Sequence, residues 1–105
     1  MDSKYCYKLE DLRSRLLEGP GVLDSEVRQA AAKGADVPPE LVHYVDTVRR
    51  HAYKVTDEDV QALLDAGYSE DQVFELTVAA AYGAARDRLE AGLDAIRSHR
   101  LDVDQ

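Results

Sequence analysis

The residues that could do chemistry cluster between Glu40 and Gly67, in the stretch ELVHYVDTVRRHAYKVTDEDVQALLDAG. Two carboxylates there, Glu40 and Asp59, could share one proton. Like charges in one site raise one of the two pKa values and make that group a general acid. Between them lie His51, a candidate base, Tyr53, a hydrogen-bond donor, and Lys54, a cation that could hold an anion. Each residue also has an ordinary structural use. Glu40 suits the first turn of a helix, where the dipole favours a negative charge. Asp59 stands three residues after Thr56, which reads as a capping box. Tyr53 could be a packing ring and Lys54 a solvated cation.

Other reaction classes find no support in the spacing. His43 and His51 are eight residues apart, about 12 Å along a helix, too far for one chain to close both on a single ion. There is no His-Glu-x-x-His and no cysteine ligand set, so no metal is expected. No glycine-rich phosphate loop and no Gly-x-Ser-x-Gly elbow occurs, and no cofactor is expected. Cys6 is the single cysteine, so neither an internal disulfide nor a Cys-x-x-Cys pair can form.

The elements that must position these residues read as helices throughout. Apolar residues recur at spacings of three and four, and no period-two run of β-branched residues exceeds four. A first helix is expected over 4–18, with Leu9, Leu12, Leu16 and Leu17 as its stripe and Gly19-Pro20-Gly21 as its stop. Ser25 is expected to cap the second, which Gly34 ends in a left-handed turn. Pro38 and Pro39 open a third, continuous to about Tyr53, with Leu41, Val45, Val48 and Ala52 on one stripe. Thr56 caps a fourth that stops at Gly67, and Ser69 with Gln72 forms a second capping box. The fifth is expected over 70–98, about 43 Å long, where Gly83 and Gly92 each weaken the helix and leave room for a kink. It carries two apolar seams. Phe74, Val78, Ala81 and Ala85 form one; Val73, Thr77, Ala80 and Ala84 form the other. So wide an apolar face exceeds what four short helices need to cover and points to a partner subunit.

The Glu40–Gly67 stretch resembles the core of the alkylhydroperoxidase-D-like, or carboxymuconolactone decarboxylase, family. The likeness extends from about Leu23 to Ile96. It includes Val37-Pro38-Pro39-Glu40-Leu41-Val42 and the junction Ala66-Gly67-Tyr68-Ser69-Glu70-Asp71. In that family a glutamate precedes a Cys-x-x-Cys-x-x-x-His and a helix ending in Ala-Gly. Counting back from Ala66-Gly67, the family's glutamate falls on Glu40, its two cysteines on Ala52 and Val55, and its histidine on Asp59. The resemblance implies an all-α single-domain bundle of five to six helices, with its core over about 23–98. It also implies a homo-oligomer: a dimer, trimer or hexamer. With Ala52 and Val55 aliphatic, thiol peroxidase and disulfide reductase chemistry is expected to be absent. The reading that follows is a non-redox binding or scaffold protein. The alternative is an acid-base enzyme using Glu40, Asp59, Tyr53 or His51 on a small molecule.

Composition fits one soluble domain. The 105 residues carry a formal charge of −8, which argues against nucleic acid, because phosphates demand a basic surface. No apolar run approaches the roughly 20 residues that span a bilayer. No apolar stretch of the secretory kind stands near Met1, so the expected compartment is the cytoplasm. A small-molecule ligand stays open.

Overall fold

The computed structural model describes the backbone over residues 3–103 and the side chains over 10–99. Five α-helices follow one another: α1 (Ser3–Leu17), α2 (Ser25–Lys33), α3 (Val42–His51), α4 (Asp57–Asp65) and α5 (Glu70–Val103). No strand occurs among the described residues. The architecture is therefore an all-α helical bundle, organised on α5, against which α2 and α3 pack most extensively.

Local side-chain chemistry sets most boundaries. Asp24, not Ser25, caps α2: its Oδ1 accepts the Glu26 N–H at 3.0 Å. Ser25 is free to donate its hydroxyl to the Leu17 carbonyl at 2.7 Å, tying the end of α1 to the start of α2. Gly34 ends α2 at φ 74°, and its N–H returns to the carbonyls of Ala30 and Ala31. The Thr56 capping box forms in full: Thr56 Oγ1 accepts from Asp59 N–H, and Asp59 Oδ2 accepts from Thr56 N–H. Ser69 and Gln72 make the same reciprocal pair at the start of α5.

The third helix is shorter than its apolar stripe suggests. Pro39–Leu41 is a 3-10 turn, with Leu41 N–H reaching only to Pro38 O. At the other end His51 takes φ −146° and ψ 60°, and Ala52–Lys54 is a separate 3-10 turn. The α-helix stops because Val55 and Thr56 are drawn into extended backbone, which an N-cap residue adopts. Ala52 is consequently exposed rather than part of the stripe.

The core gathers Leu17, Leu23, Leu41, Tyr44, Val45, Val48, Leu63 and Leu76 around a floor of small residues. Ala31 and Ala80 are fully buried where α2 crosses α5. An alanine Cβ at Gly83 would overlap the Ala32 carbonyl, so the two helices meet backbone to backbone there. α5 runs as one helix through both Gly83 and Gly92. Tyr44 is buried and donates its hydroxyl to Thr77 Oγ1 at 2.6 Å, while Thr77 donates to Val73 O.

The two seams of α5 part company. Val73, Ala80 and Ala84 are buried inside the chain, with Thr77 half-buried beside them. Phe74, Ala81 and Ala85 face outward with half-buried Val78. Leu12 is exposed on α1 rather than in the stripe expected of it; the side chain of Leu9 lies outside the described residues. Beyond Arg88, whose guanidinium reaches the Arg49 carbonyl, α5 leaves the bundle. From Asp87 to His99 every side chain is exposed except half-buried Leu93. The radius of gyration is accordingly 16.3 Å, against about 13 Å for a compact domain of this length.

Candidate functional site

Glu40 lies in the 3-10 turn that Pro38 and Pro39 start, with its side chain in solvent. Its partner is a residue the motif spacing did not single out. Tyr68 donates its hydroxyl to Glu40 Oε1 at 2.7 Å. Tyr68 sits at the corner between α4 and α5, just after Gly67 at φ 104°, and its N–H is held by Leu63 O. The bond from Tyr68 holds the Glu40 carboxyl below the ordinary glutamate range. In return, the bond to Glu40 raises the Tyr68 phenol, with burial and the Glu40 charge acting in the same direction.

His43 stands three residues after Glu40, one turn along. Its Nε2 lies 3.8 Å from Asp59 Oδ1, with the histidine side chain 83% exposed. Asp59 is thus held by two neighbours: its Oδ2 serves the Thr56 cap and its Oδ1 faces His43. Glu40 and Asp59 therefore take different partners, Tyr68 for one and Thr56 with His43 for the other. Both carboxylates tie the start of α3 to the α4 region.

The other two candidates stand elsewhere. His51 and Tyr53 meet edge to face at 5.9 Å, and Lys54 Nζ lies 5.9 Å from the Tyr53 ring centre. All three are exposed, Tyr53 by 81%. They sit at the far end of α3, about 16 Å along the chain axis from Glu40. Ala52 and Val55 close a single turn through the Val55 N–H to Ala52 O bond of 3.2 Å. Val55 packs against the core and Ala52 faces solvent. Neither carries an atom that can attack, ionise or carry electrons.

A groove lies between the α2–α3 connection and α5. It is open, encloses about 940 Å³, and is lined by Lys33, Val42, His43, Arg49 and Arg88 among others. Glu40, His51, Tyr53 and Asp59 do not line it. Most of its cations serve the fold. Arg49 donates to Ala32 O and to Asp87, Arg88 donates to the Arg49 carbonyl, and Arg50 pairs with Asp46. Among the described residues, no three histidine, cysteine or acidic side chains are grouped to hold a metal. No described helix is long and apolar enough to cross a membrane.

The Tyr68–Glu40 bond has a pH signature. Glu40 is lowered, so its contribution is present above the ordinary glutamate pKa and is lost as pH falls through the lowered one. Tyr68 is raised, so its contribution is present below the ordinary tyrosine pKa of 10.0 and is lost as pH rises through the raised one. In Tyr68→Phe the Glu40 carboxyl should titrate back at the ordinary glutamate position in a carbon-detected NMR titration. An unchanged Glu40 midpoint would show that another group sets it.

No family model matches this chain, nor does any curated protein or solved structure.

Proposed function

We propose that this chain is a non-redox, alkylhydroperoxidase-D-like protein that works by binding and self-assembly. In this reading it keeps the family's helical core and has lost the family's thiol pair. The observation that carries it is the turn at Ala52 and Val55. The turn brings the two positions of a Cys-x-x-Cys together and fills both with aliphatic groups, while Glu40 stands at the other end of α3. Two-electron thiol exchange needs an attacking thiolate and a resolving sulfur. Cys6, the one sulfur nucleophile, belongs to α1, and its side chain lies outside the described residues.

The state of the carboxylates supports binding over acid-base catalysis. A general acid at neutral pH needs a raised carboxyl pKa, and the Tyr68 hydroxyl moves Glu40 the other way. Asp59 is taken up by its cap and by His43. We also propose a cytoplasmic setting, where a lone cysteine stays reduced.

Peroxide consumption with a dithiol reductant tests this function. The natural chain and Cys6→Ser should both run at the background rate.

A further inference from the structure

The exposed face of α5 has a symmetry that the fold itself does not use. Phe74, Val78, Ala81, Ala85, Leu89, Gly92 and Ile96 follow one another at spacings of 4, 3, 4, 4, 3 and 4. That is an 11-residue repeat, 3.67 residues per turn, so the stripe runs nearly straight down the helix for about 33 Å. It also reads the same in both directions from Ala85. Phe74, Leu89 and Ile96 are 69%, 47% and 57% exposed. We propose that α5 pairs antiparallel with α5 of a second copy of this chain, in a register centred on Ala85. The proposal rests on the reading above that the protein works through assembly.

Three observations select this occupant and this direction. First, the palindromic spacing sets large residues opposite small ones across a two-fold axis: Val78 opposite Gly92, Leu89 opposite Ala81, and Ala85 opposite itself. Small residues at the crossing let two helices approach closely. Gly92 weakens a helix interior, yet nothing in the chain lies within 4 Å of where its Cβ would stand. Its own fold gives that glycine no role, whereas Val78 of a second copy would.

Second, α5 begins with two acids, Glu70 and Asp71. Antiparallel pairing keeps these acidic starts apart and sets Asp71 opposite His99. Parallel pairing would lay acid on acid.

Third, the ends of the stripe have somewhere to go. Beside Phe74 and Val78 an apolar groove of about 510 Å³ runs toward the α1–α2 connection, with Leu16 and Val22 on its wall. The register places Ile96 of the second copy opposite Phe74 at this groove. Each projecting half of α5 would thereby be covered by the bundle end of its partner. Most helical stability in a protein comes from packing an apolar face, and the pairing gives the projecting half that packing.

Sedimentation equilibrium and cysteine cross-linking test the proposal together. At micromolar concentration the natural chain should have twice its 11.7 kDa mass. Ala85→Arg, at an exposed position, should halve that mass and leave the helical circular dichroism of the bundle in place. In a Cys6→Ser background, Ala85→Cys should cross-link to itself under mild oxidation. Phe74→Cys should fail alone and succeed when mixed with Ile96→Cys. A natural chain that stays at 11.7 kDa, or an assembly that survives Ala85→Arg, overturns the pairing. Self-cross-linking of Phe74→Cys overturns the antiparallel direction. Peroxide turnover in the same samples reads the functional proposal separately: turnover by an intact pair would sink that function and leave the pairing standing.

Discussion

Arg28→Met should destabilise the protein by roughly 3–5 kcal/mol, because it strands three backbone carbonyls at once. Arg28 is 4% exposed. Its Nε donates to Leu23 O, its Nη1 to Leu16 O and its Nη2 to Gly19 O, at 3.1, 3.1 and 2.5 Å. No carboxylate pairs with it among the described salt bridges. The charge is instead held by carbonyl dipoles at the C-terminal end of α1, where a cation is favoured. The last carbonyls of any helix lack partners within it. Here Arg28 takes one of them and Ser25 takes the next, Leu17 O. Methionine would keep much of the buried stem's packing and supply no donor. Each stranded acceptor costs about 1–3 kcal/mol, less where water can reach it. In thermal melts the loss should appear as a fall of roughly 10–20 °C for a domain of this size. Arg28→Lys should fall between, since an ammonium cannot match the planar fork. A methionine variant within about 1 kcal/mol of the natural chain would mean that water replaces the guanidinium, and the account of this corner would be wrong.

Gly83→Ala should destabilise by about 2–3 kcal/mol, although alanine is the better helix former by roughly 1 kcal/mol. The new methyl would collide with backbone, namely the carbonyl of Ala32 on α2. A backbone atom cannot swing aside as a side chain can. α2 would have to move outward, loosening the packing in which Ala31 and Ala80 are fully buried. The Ala32 carbonyl also receives Arg49, which bridges on to Asp87, so the shift would strain that link too. The same substitution at Gly92 meets nothing within 4 Å inside the chain. Urea unfolding of the two variants separates the cases. Gly83→Ala gaining stability would mean that the helices are not in backbone contact.

These two residues also mark where the sequence stops being readable. A cap is a local event, so Thr56 with Asp59 and Ser69 with Gln72 were legible from three-residue spacing alone. Which of Asp24 and Ser25 would cap α2 was not, because Ser25 is claimed by Leu17 O, eight residues back. Both seams of α5 were visible in the apolar pattern. Their assignment depended on Gly83 facing α2, a fact of three dimensions that turned the Val73–Ala80 seam inward. Arg28 drew no notice in the sequence, since its acceptors are backbone atoms that no side-chain pattern displays. At the site, Glu40 followed from the motif. Tyr68 did not, because the contact spans 28 residues and leaves no periodicity. His43 was closer to hand, three residues beyond Glu40 and therefore on its face. The grouping of His51 and Tyr53 with Glu40 came from their nearness in sequence, and the length of α3 sets them at opposite ends of it.

The central proposal, a non-redox protein with aliphatic groups at Ala52 and Val55, is tested most directly by peroxide turnover. The natural chain and Cys6→Ser would be assayed side by side with a dithiol reductant, against a protein-free blank. Both should match the blank, because Ala52 and Val55 offer no thiolate and Cys6 alone cannot close an internal disulfide. Turnover abolished by Cys6→Ser would mean that Cys6 has taken over the missing pair. Turnover that survives the substitution would reveal a different redox centre, and it would contradict the assignment of this chain as a non-redox protein.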